Sequence, residues 1–207
     1  MKTTCDLFEA HGYLIAEPVL SSDALDELER ELPIVSNAGT RTLLQKSAFR
    51  ALAARLRAHE RLSDYLGNLV AIEGIFFHKH RDRNWSLMPH WDSVIPTAGD
   101  GPCKPAGEKE RMACAHAPLD FMRQCVAVRL ALDEVPEGDI QVEVGTHKTS
   151  DRQPATTLVV PRGGAVLMRP CLIHSSAKLT ASLERRVVHL LYAPRELPDG
   201  YRWYHAA

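Results

Sequence analysis

The feature that most restricts the fold is the texture of the chain from about residue 69 onward, where short apolar segments alternate with turns rich in Gly, Pro and Asp. Residues 69–79, 87–93, 125–132, 140–144, 156–160, 164–168 and 185–192 each read as a strand. Strands this short, with turn residues between them and no long helical period interposed, indicate a sandwich or barrel rather than a parallel α/β sheet. The first 68 residues have the opposite texture. Residues 6–11 form an amphipathic turn of helix that stops at Gly12, and Tyr13 to Ala16 enters the fold as a strand. Ser21 or Ser22 can cap a helix whose first turn carries Asp23, Asp26 and Glu27, favourable at the positive end of the helix dipole; it stops by Pro33. Residues 47–59 place Phe49, Leu52 and Leu56 on one buried face and Arg50, Arg55 and Arg57 toward solvent. No repeat, low-complexity tract or linker separates the two parts. Residues 1–207 are therefore expected to form a single domain, 1–68 mostly helical and 69–207 the β core.

Residues 93–124 depart from this pattern. They are rich in Gly, Pro and charge and lie between two core strands. Long loops of that kind usually serve as lids or mobile segments, so loop 93–124 is expected to cover a bound substrate.

Charge and composition exclude several partners. With 25 Lys and Arg against 26 Asp and Glu, the chain has no electrostatic footprint for nucleic acid. Its longest apolar runs, such as 126–132, are too short to span a membrane. The first residues contain no apolar signal region, so a cytoplasmic location is expected. Cys5, Cys103, Cys114, Cys125 and Cys171 are odd in number and include no C-x-x-C pair, which reads as reduced thiols. Cys103, Cys114, His116 and Cys125 match no usual zinc spacing.

The chemistry is concentrated around His90-Trp91-Asp92. In an extended strand His90 and Asp92 point to one face and Trp91 to the other. An imidazole and a carboxylate on one face can supply two corners of a metal site. A second His would complete the two-His, one-carboxylate set of non-haem Fe(II) oxygenases, with positions left open for reactants. One H-x-D among ten His is weak evidence alone. Residues 163–174 offer the missing ligand, because a Gly-Gly turn leads into an apolar strand that ends on His174. The next strand opens with Arg185-Arg186, either of which could clamp a carboxylate through two parallel hydrogen bonds. Alternation does not choose between them. If Arg185 faces inward so do Val187, His189 and Leu191; if Arg186 does, Val188, Leu190 and Tyr192 follow.

Several ordered motifs together carry a resemblance. They are Lys79 and Asn84-Trp85 ahead of His90-x-Asp92, Val128-Arg129-Leu130-x-Leu132-Asp133, and Gly145-Thr146-His147-Lys148. Leu167-Met168-Arg169-Pro170 before His174-Ser175-Ser176, then Arg185-Arg186-Val187-Val188-His189 and Leu197-Pro198-Asp199-Gly200, complete the series. In these the chain resembles the phytanoyl-CoA dioxygenase family of Fe(II)/2-oxoglutarate oxygenases, especially its short bacterial members. The resemblance implies a mainly β fold with N-terminal helices, built on the double-stranded β-helix, or cupin-like jelly roll. It implies His90, Asp92 and His174 as ligands of Fe(II). It places the 2-oxoglutarate clamp eleven residues past the distal His, at Arg185.

By the same resemblance Lys79 and Arg129 are candidates for the other carboxylate of 2-oxoglutarate or for a substrate acid, and Asn84 for the cofactor pocket. Trp85, His116 and His189 are candidates for substrate contact. The implied reaction consumes O2 and hydroxylates an unactivated C–H bond of a small-molecule substrate, with release of succinate and CO2. The carboxylate at Asp92 favours hydroxylation over halogenation, which needs a small residue there. The chain departs from the family pattern at Trp91, and the turn before Gly145 and the segment after Lys148 are trimmed, which points to a substrate of modest size. Two other readings are open: a cupin-like metal enzyme that does not use 2-oxoglutarate, and a non-catalytic jelly-roll binding module.

Overall fold

A computed structural model describes residues 3–35, 38–98, 103–137, 140–149, 151–180, 184–197 and 202–207. Gly138, residues 99–102 of the Gly-rich stretch and the Pro198-Asp199-Gly200 motif lie outside the described residues.

The chain begins with helix α1 (Thr4–His11). The Thr3 hydroxyl accepts from the Asp6 N–H while the Asp6 carboxylate accepts from the Thr3 N–H, a reciprocal cap that satisfies two donors left over at a helix start. Gly12 ends the helix at φ 83°, a left-handed conformation natural to glycine, and turns the chain into β1 (Tyr13–Ala16). Helix α2 (Ser22–Glu31) starts from Ser21, whose hydroxyl accepts from the Ala24 N–H. Then come β2 (Gly39–Thr40), a 3-10 turn (Leu43–Gln45), α3 (Ser47–Ala58) and α4 (Ser63–Leu66).

The β core follows in order: β3 (Val70–Lys79), β4 (Leu87–His90), β5 (Val94–Ala98), β6 (Pro105–Lys109) and β7 (Met112–His116). The short helix α5 (Leu119–Met122) precedes β8 (Val126–Ala131), β9 (Ile140–Glu143), β10 (Ala155–Leu158) and β11 (Ala165–Met168). The last strands are β12 (His174–Ser176), β13 (Arg185–Ala193) and β14 (Arg202–Trp203).

These strands form three antiparallel sheets, in the orders β1-β11-β8-β13-β3-β2, β10-β9-β12-β4 and β14-β5-β7-β6. The six-stranded sheet is covered on both faces, which explains why β3, β8 and β13 read as nearly continuous apolar runs. On its outer face Val128, Leu130, Val188 and Leu190 pack against Phe49, Leu52 and Leu56 of α3 and Leu25 of α2. The Tyr192 hydroxyl, buried among these side chains, donates to the Ala53 carbonyl. On the inner face Ala127, Ala131, Val166 and Leu191 share a core with Ile140, Val142 and Leu158 of the smaller sheet and Leu172 of the turn before β12. Two facing antiparallel sheets with helices on one outer face make the mainly β jelly roll that was expected.

Two expectations about local structure need correction. Residues 93–124 are not a structureless loop, for they carry β5, β6, β7 and α5. Alternation there is hidden by the Gly and Pro content, yet Met112, Cys114 and Ala115 are buried and the hairpin turns at Glu110 and Arg111, whose φ angles are 50° and 67°. Residues 163–174 are not one strand either. Pro170 has no N–H to continue a ladder, and the chain turns between β11 in the large sheet and β12 in the small one. The described cysteines are all free thiols, and burial pushes Cys125 up to about 12 and Cys171 up to about 11. No helix among the described residues is long and apolar enough to cross a membrane.

Candidate metal centre and its cleft

Between the two facing sheets lies a cleft of about 330 Å3. Its floor is built by alternation: Ile75, Phe77 and Lys79 of β3 line it, as do Val187, His189 and Arg185 of β13. Register sets them side by side, Arg185 opposite Lys79, Val187 opposite Phe77 and His189 opposite Ile75. On the other flank Arg129 of β8 stands opposite His189.

His90 ends β4 and His174 begins β12, and the two are direct partners in the β4–β12 ladder. Their ring centroids are 4.3 Å apart. Asp92 lies beyond the end of β4, and its backbone N–H donates to the Pro170 carbonyl at 2.8 Å, so the turn that precedes His174 also fixes the carboxylate. One Asp92 oxygen is 3.7 Å from His90 Nε2 and the other 3.8 Å from His174 Nε2. Potential ligand atoms of the three residues all lie within 4.8 Å of one another, and no other group of three or more His, Cys, Asp or Glu meets this condition among the described residues.

The donor chemistry fits a divalent transition metal. Nδ1 of His90 and Nδ1 of His174 are each 2.9 Å from the carbonyl two residues earlier, Met88 and Leu172. Donation of Nδ1–H to those carbonyls leaves Nε2 as a bare lone pair aimed at the centre. Burial lowers the pKa of His174 below the ordinary imidazole value and keeps it neutral, as a ligand must be. For Asp92, burial pushes the carboxyl up, but the surrounding His174, His189, His90 and Arg41 outweigh it and hold the group below its ordinary value. Two imidazoles and one carboxylate, open on the cleft side, are the ligand set of non-haem iron sites.

At one end of the cleft Lys79 and Arg185, only 3% and 4% exposed, both donate to the Ser176 hydroxyl, at 2.6 and 2.5 Å. Lys79 also donates to the Ala177 carbonyl and stands over the Trp85 ring, 4.9 Å from its centroid. Arg186 faces away. It is bound to Asp133 and Glu29 on the outer side of the sheet, which settles the choice that alternation left open. Asn84 does not line the cleft; its side chain pairs twice with the Leu179 backbone and thereby holds the segment that follows Ser176. His189 does line it, and burial pushes its pKa down to about 4. His116 is exposed on β7 beside Ser93 and is not a cleft residue. Trp91, expected to face away, also lines the cleft, because β4 has ended at His90 and strict alternation no longer holds.

Several cleft residues were given no role in the sequence analysis, four of them charged or bonded to the cation pair. Ser176 follows the His174 motif but carries no signal of its own. Arg41, Glu73 and Lys109 come from β2's exit, from β3 and from β6. Only Glu73, a lone acid in an apolar strand, could have drawn notice.

A model of the family described as phytanoyl-CoA dioxygenase matches residues 8–187. No curated protein matches the chain in sequence. Among solved structures, the chain is similar to HygX from Streptomyces hygroscopicus with nickel and 2-oxoglutarate bound, with a TM-score of 0.68 at 16% identity over 96% of this chain and 90% of that one. It is similar to the non-heme alpha ketoglutarate dependent epimerase SnoN from nogalamycin biosynthesis, with a TM-score of 0.64 at 17% identity over 90% of this chain and 78% of that one. The alpha ketoglutarate dependent carbocyclase SnoK from nogalamycin biosynthesis gives 0.64 at 16% identity, over 92% and 82%. At these identities the likeness establishes the fold.

Proposed function

The chain belongs to the phytanoyl-CoA dioxygenase family, and on that premise we propose that it hydroxylates an unactivated C–H bond of a small-molecule substrate, with release of succinate and CO2. It is an Fe(II)- and 2-oxoglutarate-dependent oxygenase, with O2 as co-substrate. The observation that carries the reading is the convergence of His90, Asp92 and His174 in a cleft that also holds the Lys79–Arg185 pair.

In this reading His90, Asp92 and His174 hold the iron. Bound iron supplies the activation of O2, coupled to oxidative decarboxylation of 2-oxoglutarate. Arg185 and Lys79 receive the distal carboxylate of 2-oxoglutarate, with Ser176 holding both cations in place beforehand. Arg129, beside His189 on the cleft floor, is positioned for the other carboxylate or for an acid on the substrate. Asn84 acts at one remove, through the backbone at Leu179. Trp85, Trp91 and Phe77 give the cleft apolar walls that exclude water from the reacting atoms.

The similar structures include proteins named an epimerase and a carbocyclase, so the deciding experiment must read the product. Protein reconstituted anaerobically with Fe(II) is mixed with 2-oxoglutarate, ascorbate and pools of small metabolites, then exposed to O2. Hydroxylation predicts substrate-dependent succinate and a product that has gained one oxygen atom. A product of unchanged mass, or one lacking two hydrogens, would replace hydroxylation with epimerisation or ring closure.

A further inference from the structure

The cleft has a second charged end. Glu73, 7% exposed, lies six residues before Lys79 on β3, about 20 Å away at the rise of a strand. It reaches the cleft by the same alternation that sends Ile75, Phe77 and Lys79 there, opposite Leu191 of β13. The strand bulges just before it: Leu191 pairs with Glu73 while Tyr192 pairs with Ala71, so Ile72 is an extra residue and turns inward beside Glu73. Bulges commonly re-aim a side chain beside an active site.

Arg41 donates to Glu73 Oε1 at 2.8 Å. Its backbone is held independently, since the Glu110 carboxylate accepts from the Arg41 N–H at 3.0 Å and from the Thr40 hydroxyl at 2.6 Å. That contact ties the tip of the β6–β7 hairpin to β2 and brings Lys109 to the cleft wall. The Lys109 ammonium makes no hydrogen bond or salt bridge among the described residues, while its charge acts on Glu73. Burial raises the Glu73 carboxyl above its ordinary value, and Arg41 offsets this only in part. Arg41, Glu73 and Lys109 line the same cleft as His90, Asp92 and His174. An ion pair that merely closed the fold would gain little over an apolar contact. This one faces a cavity, with an added cation beside it.

Resting on the oxygenase reading above, we propose that Arg41, Glu73 and Lys109 form the substrate subsite, and that it takes a small organic acid also bearing a hydroxyl or amino group. Arg41 and Lys109 meet the anion, a carboxylate or a phosphate monoester, while Glu73 hydrogen-bonds the neighbouring hydroxyl or amine. The substrate then lies between this end and the metal, with 2-oxoglutarate at the opposite end.

Trp85 and Trp91 line the same cleft, so tryptophan fluorescence reads binding without turnover. The iron-loaded protein, saturated with 2-oxoglutarate and kept anaerobic, is titrated with small hydroxy and amino acids, each against its amide. A second arm uses sugar phosphates against the free sugars. One class is expected to bind about tenfold or more tightly than its neutral counterpart. Lys109→Ala and Arg41→Gln should each remove about tenfold of that preference, and Glu73→Gln should remove the advantage of the hydroxyl or amine. The Lys109 side chain is half-buried and makes no hydrogen bond or salt bridge among the described residues, so Lys109→Ala is expected to keep the fold and decides the matter if Arg41→Gln unfolds. Equal binding of charged and neutral members in both arms, or wild-type preference in Lys109→Ala, would overturn the subsite. If the wild-type protein fails to bind 2-oxoglutarate at all, the oxygenase reading falls with it; binding of 2-oxoglutarate without acid preference sinks the subsite alone.

Discussion

Lys79 and Arg185 are paired across the β3–β13 ladder, and both donate to one neutral acceptor, the hydroxyl of Ser176. Two buried cations converging on a hydroxyl make a site whose electrostatics improve when a carboxylate arrives, because a charged acceptor binds such donors more strongly than a neutral one. The pair lies in the same cleft as the triad, which suits a ligand that chelates metal at one end and carries an acid at the other.

Arg185→Ala is expected to weaken 2-oxoglutarate binding about 30-fold or more, the loss that follows removal of a buried charge partner. Arg185→Lys should recover only part, since an ammonium cannot form the two parallel bonds of a guanidinium. Arg186→Ala serves as the contrast: it breaks the outward contacts to Asp133 and Glu29 and should lower stability without touching 2-oxoglutarate affinity. Anaerobic titration of the three variants checks this, and unchanged affinity in Arg185→Ala would move the clamp elsewhere.

His174→Ala should weaken Fe(II) binding by about 100-fold or more, since it removes one of three ligands, and Asp92→Ala should do the same. Metal content after anaerobic reconstitution and desalting is the measurement. His116→Ala, outside the cleft, should retain wild-type metal content.

Gly12→Ala should cost about 2 kcal/mol of stability. The residue sits at φ 83°, and a Cβ there would lie 2.4 Å from His147 Nδ1. Gly67 also has positive φ, at 40°, but open space around it, so Gly67→Ala should cost about 1 kcal/mol from backbone strain alone. Urea unfolding of both variants separates the steric part from the conformational part.

His147 predicts a pH dependence. Burial depresses its pKa, Lys148 and Arg169 add to the effect, and the Glu9 carbonyl bonded to Nε2 opposes it. The folded value is thus below the unfolded one of about 6.5, so the unfolded chain takes the proton first. The stability contributed by the neutral ring is complete above about 6.5 and declines as pH falls toward the lowered folded value. His147→Gln should make the fall of the urea midpoint between pH 7 and 5 less steep, with His174 and His189 accounting for what remains. Parallel profiles for variant and wild type would exclude His147 as the source.

Periodicity and turn chemistry made much of the scaffold legible. The stop of α1 at Gly12, the extent of α3, the buried faces of the helices and the main strands of the large sheet follow from local pattern, because each element's apolar spacing is a property of its own residues. His90, Asp92 and His174 stood out as chemically apt residues at strand ends, and the structure brings them within 4.8 Å. The segment 93–124 was misread because its Gly, Pro and charged residues mask strands that are buried on one side only.

What the sequence determined by itself was which elements form and which side chains have chemistry to offer. Tertiary structure decided what the alternation of β13 left open: Arg185, where the family resemblance had placed the clamp, enters the cleft and Arg186 does not, since two equally apolar alternations can be separated only by what packs on each face of β13. It also decided that Glu73 joins Arg41 and Lys109, three residues from separate strands and loops. The Arg41–Glu73 contact and a hairpin tip pinned by Glu110 bring them together, and both depend on partners distant in the chain.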